Sequence, residues 1–202
     1  MKSWLLTFAG LTLAMSALAE GKRNAECTLA VTPRRGESSV SGGNNSLSLS
    51  SSRSSGTGSK TITRNLKWQA DLRFREARPK KLELKVYYIG YGDGGSKLKQ
   101  IGQETKAVTL DKDGRASLEL TSPTTRLTKT RSRTTNSSHS GGFSSIKTTR
   151  SGERVSGCVI QMFADGELVK SYASDSRWTV AAGKVPFSIS ELEARSGKIG
   201  VR

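Results

Sequence analysis

The chain has 202 residues, with 33 Lys and Arg against 17 Asp and Glu, and a formal net charge of +16 at pH 7. Its apolar fraction of 34% falls below the roughly 45–50% of ordinary globular proteins. Its two cysteines and single histidine fall short of the four-ligand Cys/His set of a structural zinc site, so no metal is expected. A positive charge of this size draws a protein towards polyanions and bears on association, not on fold.

Residues 1–19 read as an export signal. Lys2 is the basic flank, Trp4 to Met15 is an apolar run broken by Thr7, Gly10 and Thr12, and Ala17-Leu18-Ala19 is a small-x-small cleavage site before Glu20. The mature protein is therefore expected to be periplasmic or extracellular, where thiols oxidise and nucleotide cofactors are scarce. No cofactor is expected. No second apolar run reaches the roughly 20 residues that span a bilayer.

Ala25–Thr32 alternates like a strand and contains Cys27. Ser38–Ser59 follows as a Ser/Gly-rich arm with Arg53 as its basic residue and no acid. In residues 61–75, Ile62, Leu66, Trp68, Ala70, Leu72 and Phe74 share one parity and polar residues the other, with Arg64 as the exception. That is the period of one long strand with one dry face. Three Asp-Gly pairs, at Asp93, Asp113 and Asp165, suit tight turns, because Asp and Gly tolerate positive φ. They predict hairpins joining Leu82–Tyr91 to Lys97–Ile101, Ala107–Leu110 to Ala116–Thr121, and Val155–Phe163 to Leu168–Ala173.

Thr121–Ser151 is a second polar arm. It is rich in Ser and Thr, carries Arg126, Lys129, Arg131, Arg133, Lys147 and Arg150, and contains no acid. On composition both arms are either disordered or extensions of the neighbouring strands that pair as a polar ribbon. Ser188-Ile189-Ser190-Glu191 has the form of a capping box, so a short helix is expected within a C-terminal tail, residues 186–202. The fold class is all-β: an antiparallel two-sheet sandwich of immunoglobulin-like type over residues 20–185, with arms at 38–59 and 121–151. In an oxidising compartment, Cys27 and Cys158 are expected to form one disulfide.

The late segment Gly157-Cys158-Val159-Ile160-Gln161-Met162-Phe163-Ala164-Asp165-Gly166-Glu167-Leu168-Val169-Lys170-Ser171-Tyr172-Ala173-Ser174, followed by Trp178, resembles the terminal hairpin of uncharacterised secreted β-sandwich proteins from bacteria. The resemblance covers about a tenth of the chain. It implies the fold and the compartment and carries no activity.

The acid-free arm is the leading binding candidate. Lys129, Arg131 and Arg133 alternate along the chain, so in an extended strand they project to one side. Forked guanidinium groups suit repeated phosphate, sulfate or uronate groups. Phe143 is the arm's one aromatic residue, which gives single-stranded nucleic acid little to stack on, and export turns the basic excess away from intracellular nucleic acid. Tyr87, Tyr88 and Tyr91 could line a glycan site, but core packing is the favoured reading. The Gly90–Gly95 run lacks the helix that a phosphate-binding loop requires. The stretch from Asp111 to Gly114 lacks the later Glu of a calcium loop, since position 122 is Ser. His139 has no nearby acid to orient it. The chain is thus expected to be a non-enzymatic binding or adhesion module for anionic polysaccharide or envelope polymer. The alternative is a structural subunit that self-associates through its arms or sheet edges.

Overall fold

A computed structural model describes residues 27–42, 46–50, 53–75, 79–92, 97–136 and 143–196. The export signal, the Asp93-Gly94 turn, His139 and the chain after Ser196 lie outside these residues. Strands dominate. In chain order they are β1 (Cys27–Arg34), β2 (Ser38–Gly42), β3 (Ser46–Ser50), β4 (Arg53–Arg64), β5 (Lys67–Phe74), β6 (Leu82–Tyr91), β7 (Leu98–Ala107), β8 (Arg115–Thr121), β9 (Thr125–Asn136), β10 (Phe143–Gly152), β11 (Arg154–Ala164) and β12 (Glu167–Ala173). Among the described residues, helix is confined to a 3-10 turn at Ser176–Trp178, α1 (Thr179–Ala182) and α2 (Ile189–Ser196).

The strands form three antiparallel sheets, ordered β1-β5-β8, β12-β11-β6-β7 and β10-β9-β4-β2, with β3 also paired to β4. The first two share one core. Trp68, Ala70, Leu72 and Phe74 of β5 and Leu120 of β8 pack with Leu84, Val86 and Tyr88 of β6 and Ile160 and Met162 of β11. The alternation read in residues 61–75 supplies one wall of that core, and Trp68 stacks on Tyr88 across it at 5.9 Å. The predicted strand over 61–75 is interrupted, however. It ends as β4 at Arg64 and resumes as β5 at Lys67, because Asn65 turns a buried polar side chain into the junction.

Two of the expected hairpins form within the second sheet, as β6–β7 and β11–β12. The β11–β12 turn has Asp165 at φ 52° and Gly166 at φ 89°, the left-handed pair that a tight hairpin needs. The expected hairpin around Asp113-Gly114 does not form, because β7 pairs with β6 and β8 with β5. The turn is nevertheless present. The Asp111 carboxylate accepts from the backbone N–H of Asp113 and Arg115, each at 2.8 Å, and it redirects the chain from one sheet to the other.

The C-terminal segment is more than a tail. The outer face of the second sheet carries Tyr87, Ile89, Leu98 and Val159, and these are covered by Trp178, Ala181, Ala182 and Leu192. Gln161, 1% exposed, fastens this cover by donating from Nε2 to the carbonyls of Ala182 at 2.8 Å and Lys184 at 2.7 Å. The three tyrosines divide between the two clusters, with Tyr88 inside the shared core and Tyr87 and Tyr91 under the helices.

The expected disulfide is absent: Cys27 and Cys158 are both buried and are not joined to each other. They enter the shared core from different sheets, Cys27 opposite Phe74 and Cys158 opposite Tyr88, and each packs as a small apolar side chain. Burial pushes the Cys158 thiol from an ordinary value near 9.0 up to about 12. Between those values the unfolded chain has lost a proton that the folded chain retains, so stability falls as pH rises through that window. A urea midpoint is expected to correspond to about 2 kcal/mol less stability near pH 10.5 than near pH 8 from this group. Cys158→Ala should flatten the alkaline slope, and an unchanged slope in that variant would show that this thiol does not titrate as the burial requires.

Candidate functional site: the basic face of the arm

The third sheet is the arm. Chain continuity builds it: β1 runs on into β2, β4 into β5, β8 into β9 and β10 into β11. The order β2-β4-β9 therefore repeats the order β1-β5-β8, and the arm prolongs the first sheet beyond a break. Polar side chains take over the ladder at that break. Asn65 Oδ1 accepts from the Glu37 N–H at 2.7 Å, and Ser122 Oγ accepts from the Leu66 N–H at 2.9 Å. Thr125 Oγ1 donates to the Arg64 carbonyl at 3.1 Å. Asn65, Ser122 and Thr125 are all buried. Gly36 lies against the same junction, where a Cβ would stand 2.1 Å from the Asn65 carbonyl oxygen.

Twelve residues of β4 pair with twelve of β9, so the arm extends about 40 Å at roughly 3.3 Å per residue. Among the described residues, β11 at the base is the one element outside the arm that packs against it to more than a marginal extent. Among the described residues, nothing else covers either face to more than a marginal extent.

Register decides what each face carries, because directly opposed residues in an antiparallel pair share a face. Lys60 lies opposite Lys129, and Lys129 opposite Arg150, making a row of three cations across three strands. Towards the tip, Arg131 lies between Gly58 and Thr148, and Arg133 between Gly56 and Ile146. All five cations are exposed. Towards the base the same face closes with Val40, Ile62 and Leu127 side by side. The two glycines set no side chain beside Arg131 and Arg133, and Arg133 Nε donates to Ser144 Oγ at 3.1 Å.

The reverse face is a field of hydroxyls. Its rows are Ser41, Thr61, Thr128 and Ser151, then Ser59, Thr130 and Thr149, then Thr57, Ser132 and Lys147. Thr61 and Thr128 bring their hydroxyl oxygens to 3.2 Å. Arg126 and Lys147 belong to this face, about 20 Å apart along it. Of the six cations singled out in the sequence, the structure thus gathers Lys129, Arg131, Arg133 and Arg150 and sends Arg126 and Lys147 to the other side. Lys60 joins the group as a cation that the sequence does not mark. It falls between the Ser/Gly arm and the next strand pattern, and only the β4–β9 register brings it opposite Lys129.

The electrostatics of arm and body differ. On the body, Lys67 lies 3.7 Å from Glu37 and 3.4 Å from Glu119. Ser117 and Gln69 donate hydrogen bonds to the Asp71 carboxylate and hold its pKa below the ordinary carboxylate range. The arm contains no carboxylate, and none of the ion pairs among the described residues involves Lys60, Lys129, Arg131, Arg133 or Arg150. Neighbouring strands lie about 4.8 Å apart, and like charges directly opposite each other destabilise a sheet by roughly 0.2–1 kcal/mol per pair. The Lys60–Lys129–Arg150 row therefore carries a repulsion that a bound anion would relieve.

No protein family, no curated protein and no solved structure matches the chain. Among the described residues no three His, Cys, Asp or Glu side chains gather as a metal site would require, and no helix is long and apolar enough to cross a membrane. Fold and site together define a two-layered β body with a helical cover and a projecting, two-faced arm.

Proposed function

We propose that the protein is an exported, non-enzymatic binding or adhesion module whose arm holds anionic envelope polymer or glycan on its basic face. The carrying observation is the convergence of Lys60, Lys129, Arg131, Arg133 and Arg150 on one open face of an acid-free sheet. A linear polymer lying along the strand beside Gly56 and Gly58 would meet Arg131 and Arg133 at about 6.7 Å intervals. The three-cation row would meet further anionic groups across it. Forked guanidinium groups take phosphate, sulfate or carboxylate in bidentate pairs. In this reading the body is an immunoglobulin-like sandwich that anchors the arm, and the compartment is periplasmic or extracellular, as residues 1–19 and the late-hairpin resemblance suggest.

Retention on immobilised heparin or lipopolysaccharide tests the reading. Strong retention is expected at low salt. It should fall by roughly 100–500-fold between about 50 and 200 mM salt, because five neutralised anionic groups release their counterions. Retention that is absent, or indifferent to salt, would overturn it.

A further inference from the structure

The arm ends in an open edge. Among the described residues, β10 pairs with β9 alone, over ten residues in an unbroken register. An exposed edge of this length is a template for another strand. It contains no Pro, no acid and no bulge, and its charged residues are Lys147 and Arg150, cations that a pairing strand must not set against one another. A second observation points the same way. Of the large apolar side chains exposed on the arm among the described residues, Phe143 at 65% and Ile146 at 52% lie on this strand, and Val40 at 57% lies on β2 at the other edge. Neither packs in either core of the protomer.

The geometry points to a second copy of this chain as the occupant, paired antiparallel through β10 about a two-fold axis at Ile146. Two identical edges form a closed, isologous interface. With Ile146 opposite its symmetry mate, Ser144 faces Thr148, Lys147 faces Ser145 and Phe143 faces Thr149. Each exposed Ile146 gains an apolar cross-strand partner, and no cation of β10 faces another. Centring the axis on Lys147 would instead set Lys147 against Lys147. In the Ile146 register each β10 runs from its own tip towards its own base, so the two bodies lie at opposite ends of the joined sheet. Twelve strand positions then separate the two Gly152 residues, about 40 Å, which leaves the bodies clear of each other. The basic faces of the two arms become one continuous surface.

Cross-linking with the full chain tests the pairing. Ile146→Cys is expected to give a disulfide-linked dimer on mild oxidation, since opposed Cα atoms in an antiparallel pair lie about 4.5–5.5 Å apart, within disulfide range. Val40→Cys, on the other edge of the arm, should stay monomeric under the same oxidation, and so should Thr148→Cys. The unmodified protein, with buried native thiols, is the baseline. In sedimentation, Ile146→Lys should shift the dimer to monomer at least tenfold more readily. Two positively charged copies repel, so dimerisation should strengthen as salt screens them, the opposite of polyanion retention. A monomer at all concentrations and salts would overturn the proposal, as would cross-linking at Val40→Cys or Thr148→Cys equal to that at Ile146→Cys. Neither result would touch the polyanion reading, which a monomer satisfies.

Discussion

Replacing Lys60, Lys129, Arg131, Arg133 and Arg150 together by Gln is expected to remove most polyanion retention. Replacing Arg126 and Lys147 by Gln should leave most of it. The first set shares one face and the second set lies on the reverse. In a plot of log affinity against log salt, the five-fold variant should have a slope shallower by roughly 3.5–4.5, at about 0.7–0.9 for each anionic group no longer neutralised. The variant should also fold at least as well as the parent, because it removes the like-charge pairs Lys60–Lys129 and Lys129–Arg150 at roughly 0.2–1 kcal/mol each. Urea midpoints check this, and they separate loss of binding from loss of fold. Equal losses in the two sets would mean that net charge, and not the face, carries the binding.

Trp68→Ala should have the largest effect on stability, about 3–5 kcal/mol. Trp68 is 4% exposed at the start of β5, lies opposite Pro33 on one side and Leu120 on the other, and stacks on Tyr88 from the facing sheet. Its truncation leaves a cavity between two rigid sheets that cannot close on it. For a chain of this size the melting temperature should fall by roughly 6–20 °C. The arm has no core of its own, so a substitution such as Thr130→Ala should cost under about 1 kcal/mol. Thermal melts of the two variants check the contrast. A mild Trp68→Ala variant would show that the two sheets do not depend on their shared core.

Several elements are legible in the residues because local physics dictates them. The dry parity of Trp68, Ala70, Leu72 and Phe74 marks a half-buried strand wherever it is placed, and Asp165-Gly166 fits a tight turn from its own φ preferences. The break at Asn65 is not legible. An Asn inside an alternating run reads as a wet-face residue, and here it bonds to Glu37 across a junction. The turn at Asp111–Gly114 is legible but its partners are not, since a turn motif specifies a reversal and not which sheet receives the next strand. The C-terminal cover is hidden because β6 is buried on both faces, and its second face looks like ordinary alternation broken by extra apolar residues. For the cysteines, compartment chemistry argues for a bridge, while packing sets each thiol among apolar neighbours in the core.

The candidate site follows the same division. Its ingredients are plain in the chain: a basic excess, an acid-free arm and cations at alternating positions. Composition and period-two spacing set these without reference to any partner strand. Which cations stand together was decided by tertiary structure alone. The β4–β9 and β9–β10 registers place Lys60 and Arg150 beside Lys129 and turn Arg126 and Lys147 to the reverse face. A shift of one residue in either pairing would move a whole strand's side chains to the other side. Register depends on junction bonds such as Asn65–Glu37 and Ser122–Leu66, and these link residues far apart in sequence, so no local pattern specifies them.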